Sequence, residues 1–252
     1  MKIWWLEQAV ADMPPADDWL SPGEKLRLEA MRIPKRRTDW RLGRWTAKRA
    51  VADYLEVGCD PERMARIEIR PAVSGAPEVF LDNHPARISI SISHSAGIGA
   101  CTVAPPDITI GCDLERIEPR SDAFLADYFT ATEQALVRHA PQARRATFSN
   151  LVWSAKESAL KALKVGLRYD TRDVEVELSE SSLTANDGVL GCAPHISLFG
   201  ASEHETSWHP LSVTCRNGHC LRGWWLVAGE LVRTIVAFPP SKSQEVPATD
   251  HR

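Results

Sequence analysis

Residues 108–115 read ITIGCDLE, and their period of two fixes the reading of the centre of the chain. Ile108, Ile110, Cys112 and Leu114 fall on one side of an extended strand, and Thr109, Gly111, Asp113 and Glu115 fall on the other. Two carboxylates therefore leave one face of one strand, close enough to share a cation. Downstream, past YFTATEQAL (128–136), LVWSAKESALKALK (151–164) changes to a helical period. Val152, Ala155, Ala159 and Leu163 make an apolar stripe, while Trp153, Glu157 and Lys161 line up four apart on a neighbouring face.

One strand and one helix thus offer three carboxylates and a lysine. Magnesium takes oxygen ligands, commonly keeps waters, and bridges one or two carboxylates to substrate phosphates. Asp113, Glu115 and Glu157 suit that ion better than a transition metal, because no histidine lies among them. The same groups also read as solvated charges at a strand end and on a helix face. Spacing alone leaves both readings open.

Composition bounds the rest. A chain of 252 residues that is 44% apolar can bury one large core or two small ones. Its charged fraction of 25% and net charge of -3 make no global case for nucleic acid, so any phosphate binding has to come from a local basic patch. No run of 18 apolar residues occurs, and the opening MKIWWLEQAVADMPP meets acidic residues before a signal-peptide core could form. These features predict a cytoplasmic protein without a membrane span. The six cysteines are scattered in a chain too apolar to need disulfide staples, and Cys101 and Cys112 read as small core residues.

From the start, residues 3–6 read as a strand and 17–31 as helical, with Ser21 as cap and Pro22 in the first turn. Between residues 25 and 49 ten cations, among them Arg36, Arg37 and Arg44, face only Glu29 and Asp39. This stretch reads as a phosphate-binding surface or as a solvated basic face of a helix over 39–56. Short strands are expected at 65–70 and 78–81, around the turn VSGAP. ARISISISHSAG then alternates Ile88, Ile90 and Ile92 against Ser89, Ser91 and Ser93, and His94 closes the strand. His94 fits a turn histidine or a phosphate contact made with nearby backbone donors.

Pro105-Pro106 is the natural boundary between two halves with helix and strand runs of similar scale. The expected architecture is α+β, with an N-terminal lobe at 1–105, a C-terminal lobe at 106–240 and a disordered tail at 241–252. Two short helices are expected at 121–129 and 131–140, with Glu133 placed to cap, and a long one at 142–164. Strands follow at DVEVEL, HISLFG, LSVTCR, CLRGWWLVAG and LVRTIVAF, and 179–190 reads as a loop. Cys215, His219 and Cys220, with Cys192, His195, His204 and His209 upstream, lack the paired knuckle spacing of a zinc ribbon or finger and read as strand and turn residues.

Taken in order, SISHS, GCDLE, YFTATE and WSAKESALK resemble the signatures of the 4'-phosphopantetheinyl transferase superfamily, in its long, two-lobed surfactin-synthetase type. The likeness spans residues 36–170. It implies a pseudo-twofold pair of similar α/β lobes with the active-site cleft between them. It also implies transfer of the phosphopantetheine arm of coenzyme A to a serine of an apo acyl or peptidyl carrier protein, with release of 3',5'-bisphosphoadenosine, by a monomer that binds neither nucleic acid nor membrane. The resemblance makes Asp113, Glu115 and Glu157 the magnesium ligands, and Glu157, Lys161, Lys156 and Glu133 the catalytic set. It assigns coenzyme A to Arg36, Arg37, Arg44, Gly75, Pro77, Ser93 and His94, together with Asp113, Lys156 and Lys161. Two departures stand out: Ala76 where the family commonly has a lysine or arginine between glycine and proline, and Cys112 where valine or isoleucine is usual. A magnesium-dependent nucleotide-diphosphate hydrolase or nucleotidyl enzyme, and a non-catalytic interaction protein, are the competing expectations.

Overall fold

β1 (Ile3–Ala9) lies inside a four-stranded sheet, antiparallel to β6 (Ile98–Ala104) on one side and parallel to β9 (Ile196–Phe199) on the other. β5 (Ser89–Ser95) adds to the far side of β6. The computed structural model describes residues 3–178, 196–199 and 208–238. The expected loop at 179–190, the expected tail at 241–252, and Cys192, His195 and His204 lie outside the described residues.

Two helices cover this sheet. Ser21 caps α1 (Pro22–Glu29): its hydroxyl accepts from the Glu24 N–H, and the Glu24 carboxylate accepts from the Ser21 N–H. The cap and the proline start the helix at 22, so residues 17–21, expected as helical, precede it, with Trp19 and Leu20 buried. Pro34 opens α2 (Pro34–Tyr54) five residues before the start expected at 39. Ala47, Ala50 and Val51 of α2 pack with Leu6, Cys101 and Val103 of the sheet. α3 (Pro61–Arg66) takes up the first residues of the strand expected at 65–70, which leaves β2 (Ile67–Pro71) to pair with β3 (Pro77–Leu81) and β4 (His84–Pro85) in a small third sheet.

The second large sheet runs β7 (Thr109–Arg116), β12 (Leu231–Phe238), β11 (Cys220–Ala228), β10 (His209–Cys215) and β8 (Val174–Leu178), all antiparallel. Gly229, at φ +59, turns β11 into β12. The expected short helices are α4 (Asp122–Tyr128) and α5 (Ala131–His139), the latter capped by Thr130 and Glu133. The long helix, α6 (Arg145–Ala162), packs on β7 and β12 after a single 3-10 turn at 142–144.

Gly111 sets how close α6 comes. A Cβ at that position would lie 1.9 Å from the Ser158 carbonyl oxygen and 2.6 Å from the Ala162 nitrogen. The strand and the helix backbone therefore touch directly, as only glycine permits. Ser154 and Ser158 complete the contact by hydrogen bonding Thr234 of β12 at 2.8 and 2.7 Å.

Between the two large sheets lies a shared core, in which Ile3, Trp5 and Ala100 of the first meet Ile110, Cys112, Leu114, Trp224 and Ile235 of the second. The result is a mixed α+β fold layered helix, sheet, sheet, helix. The serines of β5 are buried against β7: Ser91 Oγ accepts from the Cys112 N–H at 3.0 Å.

A buried ion pair recurs on both sides of the molecule. In one, Lys48 of α2 pairs with Glu24 and donates to the carbonyls of Trp19 and Met64, while Glu24 also accepts from the Ile69 N–H. In the other, Lys156 of α6 pairs with Glu133 at 2.8 Å and donates to the carbonyls of Thr171 and Val174, while Glu133 accepts from the Val176 N–H. Each glutamate is the third residue of a capping box, and each lysine reaches it from the long helix of its own side. Every polar atom is satisfied, which is the condition under which such a buried pair is tolerated.

Candidate active site

The close approach of α6 to β7 brings the face of Trp153, Glu157 and Lys161 onto Asp113 and Glu115. Lys161 Nζ donates to Asp113 Oδ1 at 2.7 Å, to the Cys112 carbonyl at 3.0 Å and to Ser93 Oγ at 3.2 Å. Ser93 Oγ donates to the same Asp113 oxygen at 2.8 Å. Asp113 Oδ2 is buried and has no hydrogen-bond partner. Glu115 accepts from Trp153 Nε1 at 3.0 Å and from Arg120 Nη2 at 3.1 Å, and Arg120 is itself held by Asn150 Oδ1 at 2.9 Å.

The electrostatics are unbalanced toward negative charge. Burial, then the neighbouring Asp113, push the Glu115 carboxyl up to about 7, against the pull of Arg120 and of the Trp153 hydrogen bond. Glu157 is raised by burial and by Asp113, with Lys161 opposing. Burial works against the Lys161 ammonium, but Asp113, Cys112 and Glu157 outweigh it and its pKa rises. Lys161 is therefore held as a cation. Among the described residues no three His, Cys, Asp or Glu side chains close into a metal-ligand cluster. The three carboxylates are nevertheless near enough to perturb one another, and the orphaned Asp113 Oδ2 offers an acceptor with nothing to accept from. That donor set fits a hard divalent cation reached partly through water.

Beside these groups opens a cavity of about 430 Å³, lined by residues of α1, α2, β5 and the 71–77 turn on one side and by Ile110, Leu160, Lys161 and Lys164 on the other. Arg44, Gly75, Pro77, His94 and Lys161, all expected from the sequence, line it. Arg36 and His94 line an adjoining cavity of about 600 Å³ with Arg32 and Trp40. Arg44 lies over the Trp40 ring at 4.9 Å, and burial lowers its pKa.

Other expected residues are placed elsewhere. Arg37 donates to the carbonyls of Leu28 and Met31, tying α2 to the end of α1, and lines neither of these two cavities. Ser93 serves Asp113, and it is Ser91 that reaches the cavity wall. Lys156 and Glu133, expected to act on substrate, are wholly buried and saturated by each other and by backbone groups, and neither lines the cavity. The ten-cation stretch divides in the same way: Lys48 is sealed in its ion pair and Arg41 is bound to Asp17 at 2.8 Å, which leaves Arg27, Arg32, Arg36 and Arg44 toward the cavities. Arg120 was not legible, because its role depends on a turn that returns it to Glu115. Lys164 was hidden in the apolar repeat at the end of α6.

The mixed α+β fold thus sets a cavity lined by Arg27, Arg44, His94 and Lys161 beside a carboxylate group that Lys161 joins through Asp113. Residues 109–212 match the family model of the 4'-phosphopantetheinyl transferase superfamily. It is also similar to the L-aminoadipate-semialdehyde dehydrogenase-phosphopantetheinyl transferase of Xenopus laevis, with 22% identity over 190 residues. That alignment covers 69% of this chain and 61% of the relative's length. Among the described residues no helix is long and apolar enough to cross a membrane.

Proposed function

We propose that this protein transfers the 4'-phosphopantetheine arm of coenzyme A to a serine of an apo acyl or peptidyl carrier protein, with magnesium, and releases 3',5'-bisphosphoadenosine. The carrying observation is the junction at Lys161, which lines the cation-rich cavity and at the same time holds Asp113 of the carboxylate group. A long, two-lobed protein of the surfactin-synthetase type is the form this reading takes. The recurrence of one capped, buried Lys–Glu pair on α2 and on α6 supports a pseudo-twofold relation between lobes at 1–105 and 106–240. β9, from the later half, adds itself to the earlier sheet and ties the two.

In this reading Asp113, Glu115 and Glu157 would hold magnesium, which would supply positive charge against the diphosphate and the leaving phosphate. Arg27, Arg36, Arg44 and His94 hold the nucleotide phosphates and fix the diphosphate in line with the incoming hydroxyl. The serine oxygen bonds to the phosphorus that bears the pantetheine, the bridging oxygen departs with the nucleotide, and the serine proton goes to a carboxylate. Glu157, whose raised pKa improves it as a base, takes that proton directly or through water. Lys161 stays an ammonium and stabilises charge at the phosphoryl group. Glu133 and Lys156 act by holding α6 in place.

The test incubates the protein with magnesium, coenzyme A and an apo carrier and weighs the carrier. A gain equal to one phosphopantetheine supports transfer. Nucleotide cleavage without carrier modification establishes hydrolysis instead, and neither change leaves an interaction protein. Within the same assay, Lys161→Met is expected to keep the shape of the pH profile at a lower rate, whereas Glu157→Gln is expected to lose its acidic limb. The opposite pattern would make Lys161 the base.

A further inference from the structure

The end of α6 carries a lysine in a backbone conformation that a lysine rarely adopts. After the helix closes at Leu163, Lys164 takes φ +57, in the left-handed region that favours glycine. Its N–H donates to the Lys161 carbonyl at 3.0 Å, so the strained geometry is built into the helix stop. The side chain is exposed and lines both the 430 Å³ cavity and a neighbouring one of about 350 Å³, with Pro77, Ile90 and Ile110 common to the two. Among the described residues it has no hydrogen bond and no ion pair. Lys161, one helical turn before it, is by contrast committed to Asp113.

The opposite rim explains what this cation faces. The turn at Pro71, Ser74, Gly75, Ala76 and Pro77 gives the cavity backbone and small side chains but no charge. Arg168 Nη2 donates to the Ser74 carbonyl at 3.4 Å, so the segment that follows α6 is stitched to this turn and Lys164 is held beside it. A glycine would fill the left-handed position without strain. The lysine there adds a cation without an ion-pair partner to a wall whose other lysine, Lys161, is paired with Asp113.

We propose that Lys164 is a ligand-binding residue of this cavity, holding a phosphate oxygen of the nucleotide from the α6 side. The inference rests on the coenzyme A reading given above and adds a cation to it that stands opposite the uncharged Gly75-Ala76-Pro77 turn. Lys164 takes no part in bond making. Its effect is on affinity.

Two variants separate the charge from the backbone. Lys164→Gly removes the charge and relieves the left-handed strain, and Lys164→Gln removes the charge and keeps the strain. Dissociation constants for coenzyme A, 3'-dephospho-coenzyme A and adenosine 3',5'-bisphosphate are measured by titration calorimetry without magnesium, alongside melting temperatures of the unliganded proteins. Both variants are expected to bind coenzyme A about tenfold more weakly, as loss of a charge-assisted hydrogen bond implies, with Lys164→Gly melting no lower than the parent. A loss that disappears with the dephospho compound assigns the contact to the 3'-phosphate, and one that persists assigns it to the diphosphate. Undiminished binding by both variants would overturn the inference and leave a solvated helix-end lysine, with the wider reading intact. A parent protein that binds none of the three ligands would overturn the coenzyme A reading and this inference with it.

Discussion

Asp113 divides its two oxygens between opposite tasks. Oδ1 takes the Lys161 ammonium and the Ser93 hydroxyl, and Oδ2 is buried with no donor of its own. Glu115, pushed up first by burial and then by Asp113, protonates at about 7 instead of 4.5. Between those values the folded protein keeps a proton that the unfolded chain has lost, so stability falls as pH rises through the window and the penalty is complete above about 7. Melting curves recorded with a chelator should therefore show a decline across pH 4.5 to 7 that Glu115→Gln flattens. Millimolar magnesium should restore the parent above pH 7 and leave the variant unmoved. A parent curve that is flat across the window would show that Glu115 is not shifted by its burial and by Asp113.

At the scale of elements, the contact of α6 with β7 aligns the site, and Gly111 makes it possible. Gly111→Ala would drive a Cβ into helix backbone that cannot swing aside. Overpacking usually costs about 1–3 kcal/mol, and a backbone obstacle belongs at or above the top of that range. The expected result is a lowered melting temperature together with a loss of carrier modification larger than the population of unfolded protein explains. The buried pairs make a second prediction. Lys156→Met, which strands Glu133 in the core, should cost about 3–5 kcal/mol in denaturant unfolding. Replacing both members by apolar residues should recover much of that loss. The period of the sequence made α6 and its Trp153, Glu157, Lys161 face readable, because a helix carries its own register. It did not distinguish Lys156 as a core ion pair from Lys156 as a cleft residue, because the partner Glu133 and the acceptors on Thr171 and Val174 meet it only in the folded chain.

At the scale of the whole molecule, the two large sheets share a core. Trp5 and Ala100 of one sheet share a core with Trp208, Trp224 and Ile235, and Glu7 receives the Arg233 guanidinium across the interface at 2.9 Å. Unfolding followed by near-ultraviolet circular dichroism, which reports these tryptophans, should coincide with unfolding followed by backbone signal, in one transition. Two separated transitions would show lobes that melt independently. The strand at 174–178 was legible because alternation marks a half-buried strand whatever its neighbour. The pairing of β9 with β1 was not, since a parallel partner 193 residues away leaves no local trace.

The sealing of Lys48 and Lys156 also decides how the protein meets amine-directed reagents. Neither ammonium touches solvent, and both are fully committed to carbonyls and a carboxylate. An acylating probe applied under native conditions will mark Lys164 readily, Lys161 slowly, and these two hardly at all. Adducts on either of them would time-stamp the moment a long helix lifts from its sheet, which turns a pair of inert side chains into internal clocks for opening of the fold.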